Sequence, residues 1–89
     1  MTAFTISLAG FPIRIEALYE STMRFCADYL CSEQPLFHIR METPDIDRER
    51  EKSDRERELE GLPPHRFSDA YLETLAVYRK IAAALLETK

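Results

Sequence analysis

The start of the chain alternates apolar and polar residues in two short runs. In residues 3–8 and 13–17 every second residue is apolar: Phe4, Ile6, Leu8, Ile13, Ile15 and Ala17. A period of two is typical of strands with one buried face. Between the runs lies the turn sequence Ala-Gly-Phe-Pro, in which Pro12 opens the second strand. The pattern predicts an N-terminal β-hairpin.

A third alternating run follows the loop at residues 31–35. Within residues 36–42 the apolar positions are Phe37, Ile39 and Met41, and the residues between them are charged or polar. Two strands alone are marginally stable in water. We therefore expect the third strand to pair with the hairpin.

Two other segments repeat their apolar residues at the helical period. Residues 18–30 do so at Tyr19, Met23, Cys26 and Leu30. Residues 68–88 do so more strongly, with Ser68 or Asp69 as the residue that caps the helix. Both patterns predict amphipathic helices.

Residues 45–60 are dominated by charge. Eight acidic and five basic side chains accompany only two apolar ones, Ile46 and Leu59. Thr43-Pro44 is a helix-opening sequence with Thr43 as cap, and Gly61 with the prolines after it ends the helix. We expect this helix to bury almost nothing and to fray when isolated, because exposed ion pairs add only a few tenths of a kcal/mol each.

The element order β-β-α-β-α-α predicts an α+β fold. We expect a small three-stranded, mainly antiparallel sheet packed with about three helices. With 89 residues the chain supports one domain, residues 1–89. Within it, residues 45–66 form the charged helix and a Pro-containing loop, predicted to be the mobile part, and residues 68–88 form the C-terminal helix.

Composition excludes several classes of function. The net charge of −4 argues against a nucleic-acid partner, and two glycines are too few for a dinucleotide or P-loop fingerprint. No apolar run approaches the ~20 residues that span a membrane, and the N-terminus does not resemble a signal peptide. Cys26 and Cys31 fit neither a zinc site nor a disulfide framework. We therefore expect a cytoplasmic protein with no cofactor and no metal.

Few residues offer catalytic chemistry. His38 lies on the polar side of a strand and His65 lies in a Pro-rich loop, and neither has a partner at a spacing that makes a triad or metal site. The weakest of the functional hypotheses is a small enzyme that uses one of them with a carboxylate such as Glu42. Cys26 lies on an apolar helical stripe, where thiols usually act as small hydrophobes, and Cys31 offers no better nucleophile. We expect no enzymatic activity in these residues.

Two charged surfaces have alternative interpretations. Strand alternation places Arg14, His38 and Arg40 on polar faces, where they either attract an anion or merely keep the surface soluble. The charged helix at 45–60 is either a partner-binding arm or a solvated tether, and we favour the tether.

The last helix suggests an interaction surface. Its apolar residues cover more of the helix circumference than a one-sided stripe needs, so either the helix is buried in its own small core or part of it contacts something else. The surface predicted to make that contact comprises Tyr71, Leu75, Tyr78, Ile81 and Leu85. Its partner would be a second copy, another protein or a downstream domain.

The helical sequence ETLAVYRKIA at Glu73 to Ala82, together with the strand and turn at Ile6 to Ile15, carries a family resemblance. The chain resembles the N-terminal region of bacterial proteins related to HPr kinase and ATP-dependent phosphoenolpyruvate carboxykinase. In that family a comparable helix leads into a strand and then a P-loop kinase core. The positions of the core's catalytic and nucleotide-binding residues are not in this sequence.

The resemblance implies a non-catalytic accessory or docking domain of a kinase-like protein. The alternative is a free-standing module that binds a protein or peptide, for example by adding a strand to the sheet edge at residues 36–42. Both hypotheses predict a binding role, and they differ in whether the partner belongs to the same polypeptide.

Overall fold

Three strands and three α-helices follow one another in the order that the sequence predicts. The computed structural model describes residues 1–64 and 66–87. Its elements are β1 (Thr2–Leu8), β2 (Phe11–Ala17), α1 (Glu20–Phe25), a 3₁₀ turn (Ala27–Tyr29), β3 (Phe37–Arg40), α2 (Thr43–Leu59) and α3 (Asp69–Glu87). The α+β class is confirmed. His65 and the predicted helix end at residue 88 lie outside the described residues.

The hairpin turns over two residues. Leu8 pairs with Phe11, so Ala9 and Gly10 alone form the loop, and both have positive φ, 52° and 81°. This is the geometry of the tight turns that match the twist of antiparallel strands. Gly10 adopts it at no steric cost, whereas Ala9 carries a Cβ into the left-handed region.

The third strand pairs with β2 in parallel. Seven antiparallel residue pairs join β1 to β2, and four parallel pairs join β2 to β3, from Ile13 with Phe37 to Glu16 with Arg40. The sheet is therefore mixed, with β2 in the centre. The parallel pair follows from connectivity, because α1 and the loop after it return the chain to the starting end of β2.

One face of the sheet forms the core with α1 and α3. Ile6, Ile13 and Ile15 have no exposed surface, and Val77 and Ile81 of α3 belong to the same cluster. The apolar side chains of the alternating strand pattern therefore face the helices, as expected.

The first helix is shorter than predicted. The apolar period over 18–30 suggests one helix, but α1 ends at Phe25 and a 3₁₀ turn follows. Beyond it the chain becomes extended, and the backbone N–H of Cys31 donates to the Thr5 carbonyl at 3.0 Å along the outer edge of β1. Pairing with the sheet thus replaces the last helical turns.

The charged helix exists but is more deeply anchored than expected. Its cap is Glu42 rather than Thr43, and the Glu42 backbone N–H donates to Asp45 Oδ2 at 2.9 Å. Asp45, Ile46 and Glu49 are buried, so the expectation that the helix buries almost nothing is wrong for its first half. It holds for the second half, where most side chains are exposed.

Candidate interaction surface

One side of α3 carries apolar residues that the fold covers only in part. Spacings of three and four, with two adjacent leucines at the end, place these residues on one side of a helix over about 23 Å. We call them the α3 apolar face: Tyr71, Leu75, Tyr78, Ala82, Leu85 and Leu86. The opposite sides of α3 pack on the sheet and on α2.

Exposure is greatest at the two ends of the α3 apolar face. Tyr71 is 39% exposed and Leu86 68%, and Ala82 is also exposed. Tyr78 and Leu85 are half-buried because they also pack against the core cluster. The face is therefore an apolar ridge that the molecule's own core supports from beneath.

Ile81 does not belong to this ridge. Of the five residues predicted for the interaction surface, Tyr71, Leu75, Tyr78 and Leu85 share the α3 apolar face, but Ile81 is only 3% exposed and lies in the core. Its position four residues after Val77 directs it toward the sheet. Ile81 therefore stabilises the fold and is not accessible to a partner.

Aromatic residues from outside α3 extend the ridge at its N-terminal end. The Tyr71 ring stacks on Phe67 with centroids 5.0 Å apart and meets Phe25 edge-to-face at 6.3 Å. Phe25 is 52% exposed. The sequence pattern does not predict that Phe25 and Phe67 meet Tyr71, because only the tertiary fold brings α1 and the loop before α3 to the same place.

Buried polar contacts fix α1 against α3. Glu73 has no exposed surface, and its carboxylate accepts the backbone N–H of Leu18 at 2.7 Å and of Tyr19 at 3.1 Å. The Thr22 hydroxyl donates to the same carboxylate. Glu73 thus binds the backbone just before α1 and holds the helix where Phe25 reaches Tyr71. The sequence signal was an acidic residue on the inward side of an apolar helix.

A second contact joins the helices near the middle of the ridge. Cys26 Sγ lies 4.0 Å from the Tyr78 hydroxyl. Burial, together with this contact, raises the pKa of Tyr78 to about 12, and burial raises the pKa of the Cys26 thiol. Cys26 is therefore a protonated core residue at neutral pH rather than a reactive nucleophile.

Ion pairs attach α2 to the other side of α3. Lys80 Nζ lies 3.0 Å from Asp45 Oδ2, and Arg79 pairs with Glu49. Burial alone raises the pKa of Asp45, but the hydrogen bond from the Glu42 amide and the Lys80 ammonium outweigh it, so the pKa is lowered. The Arg-Lys pair that the family resemblance includes therefore anchors the charged helix.

The basic residues predicted for the polar sheet face do share that face. Arg14 lies directly opposite His38, and Arg40 lies opposite Glu16. Glu16 supplies a carboxylate among the three basic groups. Anion binding at this face stays a prediction.

The edges of the sheet offer little room for strand addition. The chain at Cys31 occupies part of the β1 edge, and β3 has only four residues. Lys80 Nζ donates to the Arg40 carbonyl at 3.1 Å. A peptide that paired with β3 would have to displace Lys80.

The catalytic candidates do not come together in the described part of the chain. His38 is exposed and makes no hydrogen bond or ion pair there, while Glu42 caps α2. Cys31 is a free, half-buried thiol. Within the same residues no group of three or more His, Cys, Asp or Glu could hold a metal ion, and no helix is long and apolar enough to cross a membrane.

Comparisons with known proteins add no relative to this description. No protein-family model matches the chain, and no curated protein or solved structure matches it either. The functional interpretation rests on the α3 apolar face and its aromatic extension.

Proposed function

We propose that this chain is a non-catalytic docking module that contacts a protein partner through the α3 apolar face. The observation that supports the proposal is the aligned, partly exposed apolar ridge with Phe25 and Phe67 at one end. Contiguous exposed apolar surface on a small domain is typical of interaction sites. Isolated exposed side chains, such as Leu59 on α2, are not.

Burial of the exposed side chains on this ridge by a partner would contribute favourable free energy to binding. Burying a large apolar side chain completely is worth about 1.5–3 kcal/mol. Leu86 and Phe25 retain more than half of their exposed surface, at 68% and 52%. Tyr78 and Leu85 of the same face already pack against the core, which lowers the side-chain entropy that a partner would have to remove.

The family resemblance suggests the identity of the partner. If the chain is the accessory domain of a kinase-like protein, α3 would lead into a kinase core, and the α3 apolar face would pack on that core. We place the module in the cytoplasm, where the free thiols of Cys26 and Cys31 suit a reducing environment. A free-standing binding module that uses the same face is the second candidate.

Paired substitutions test the role of the face. Leu86→Glu and Leu59→Glu introduce the same charge at exposed leucines, 68% and 82% exposed, but only Leu86 belongs to the α3 apolar face. Without its partner, the wild-type chain should self-associate at high concentration in analytical ultracentrifugation and bind a hydrophobic dye. Leu86→Glu should reduce both effects, whereas Leu59→Glu should leave them unchanged.

Circular dichroism would show that both variants retain the fold. A wild-type chain that stays monomeric and binds no dye would contradict the proposal. So would an equal effect of the two substitutions, because that would indicate general hydrophobicity rather than a specific face.

The size of the native gene product separates the two candidate partners. An antibody raised against the chain should detect a band much larger than 10.4 kDa in extract of the source cells if the module precedes a kinase core. A band at 10.4 kDa would contradict the accessory-domain proposal and favour the free-standing module.

A further inference from the structure

A groove runs between α2 and α3 on the side of α3 away from the apolar face. It has a volume of about 320 Å³, and Ala76 and Ala83 of α3 are among the residues that line it. Ala76 is buried and Ala83 is exposed. Small side chains let another backbone approach closely. Exposed Ala83 therefore leaves space beside α3 for the backbone of an extended chain.

The lining of this groove is cationic in a chain that is otherwise acidic. Four basic residues line it, Arg48, Lys52, Arg79 and Lys80, against two acidic ones, Asp45 and Glu49. The groove thus has two more positive than negative charges, while the whole chain has a net charge of −4. A contrast of this kind favours an anionic ligand.

The acidic side chains face inward and the basic ones face outward. Asp45 and Glu49 are buried and are paired with Lys80 and Arg79 across the helix interface. The side chain of Arg48, which also pairs with Asp45, remains 74% exposed. A ligand that approached the groove would therefore meet the exposed cations before the buried carboxylates.

Lys52 has no partner in the described part of the chain. It makes no hydrogen bond and no ion pair there, although it lies one helical turn after Arg48. Side chains at this spacing have Cβ atoms about 5–6 Å apart. Alternate residues of an extended chain are separated by about 6.5 Å and point the same way. The spacing of Arg48 and Lys52 on α2 is therefore close to the spacing of alternate side chains on an extended peptide.

We propose that the groove between α2 and α3 binds an acidic segment of a partner polypeptide, in extended conformation, with carboxylates at alternate residues. Arg48 and Lys52 would contact successive carboxylates while the peptide backbone lies against exposed Ala83. The site does not depend on the α3 apolar face, and either surface can be removed while the other remains.

The test is a titration followed by amide chemical shifts. The probe is a short capped peptide of alternating glutamate and threonine, added to the complete chain at low salt. It should produce saturable shifts at Arg48, Lys52, Ala76 and Ala83, and added salt should weaken the binding. The same peptide with glutamine in place of glutamate should produce none.

Substitutions at Arg48 and Lys52 test whether the peptide binds in this groove. Arg48→Gln combined with Lys52→Gln should weaken binding about tenfold, since each exposed ion pair contributes up to about 1 kcal/mol. Lys52→Glu, which breaks no contact of the folded chain, should weaken it as well. The matched control removes the same charge elsewhere, at exposed Arg24 and Arg40, and should change the affinity less than about twofold.

Three results would overturn the proposal. One is the absence of saturable shifts in the groove, and another is equal weakening by the control pair, which would indicate attraction by net charge alone. The third is displacement of the peptide by millimolar inorganic phosphate with the same shifts, which would indicate a site for a small anion. Because the Leu86→Glu variant leaves the groove intact, its binding of the peptide separates failure of this proposal from failure of the docking proposal.

Discussion

Glu73 is a buried carboxylate that is held by hydrogen-bond donors rather than by a cation. Two backbone amides at the start of α1 and the Thr22 hydroxyl donate to it. Such an arrangement satisfies the unpaired N–H groups at a helix start and the charge of the carboxylate at once. One side chain of α3 therefore holds α1 in place, and with it the contact between Phe25 and Tyr71.

Removing this carboxylate should destabilise the whole fold. Glu73→Ala leaves the backbone N–H groups of Leu18 and Tyr19 without their acceptor and removes the nearer acceptor of the Thr22 hydroxyl, and we expect it to lower the free energy of unfolding by about 3 kcal/mol in urea denaturation. Glu73→Gln, which keeps one acceptor oxygen, should cost less. Glu87→Ala on the exposed end of α3 is the control and should change stability by less than about 0.5 kcal/mol. An equal effect of the two alanine substitutions would refute this role of Glu73.

At the scale of elements, α2 is a helix with two different halves. Its first half docks on α3 through Ile46 and the pairs Asp45 with Lys80 and Glu49 with Arg79. Its second half lies largely in solvent and carries Leu59 at 82% exposure. The sequence does not distinguish the halves, because charged residues alternate in both. Only the neighbouring surface of α3 decides which acidic residues become buried.

The docking of α2 should depend on pH through Asp45. Its pKa is lowered in the folded chain, so its stabilising contribution is complete above the ordinary carboxyl value of about 3.9 and is lost as the pH falls through the lower folded-state pKa. At neutral pH, Asp45→Asn should therefore lower the free energy of unfolding by about 1–2 kcal/mol. This difference from wild type should shrink as the pH falls below about 4.

Urea denaturation of both proteins across this pH range measures the effect. Asp47→Asn is the matched control, because Asp47 is exposed and lies 3.6 Å from Arg50 in a surface pair. It should change stability by less than about 0.5 kcal/mol at any pH. A gap between Asp45→Asn and wild type that stays constant down to the lowest pH would show that the carboxylate charge does not hold α2.

At the scale of the whole molecule, folding depends on α3 far more than on the distal half of α2. The sheet has only three strands, and α3 supplies Val77 and Ile81 to its core. The α3 apolar face and the groove between α2 and α3 lie on two sides of this same helix. A partner at either surface would therefore contact the element that holds the domain together.

Two proline substitutions at exposed helical positions test this difference. Ala82→Pro interrupts α3 beside Ile81 and should lower the free energy of unfolding by about 3 kcal/mol or more. Glu56→Pro interrupts α2 where few side chains are buried and should cost less than about 1 kcal/mol, because that segment gains little from being helical. Thermal denaturation compares them. Equal losses would mean that the distal half of α2 belongs to the cooperative core.

Local pattern was sufficient for the element order and for most of the core. The strands β1, β2 and β3 have a period of two, and the last helix has the helical period. Both periods depend only on residues that are close in sequence, so they can be recognised without tertiary information. The parallel pairing of β3 was implied by the helix between the strands but was not predicted. The shortened α1 was not predictable from periodicity, because the edge of β1 competes for the same residues.

The sequence by itself determined the α+β class, the strand faces and the placement of Tyr71, Leu75, Tyr78 and Leu85 on one side of the last helix. Tertiary structure alone decided that Ile81 faces the core, that Phe25 and Phe67 join Tyr71, and that cations from α2 and α3 line one groove. The physical reason is that the two kinds of property depend on residues at different separations along the chain. Periodicity reports which side of an element is apolar, whereas burial and charge clustering depend on which distant elements pack against that side.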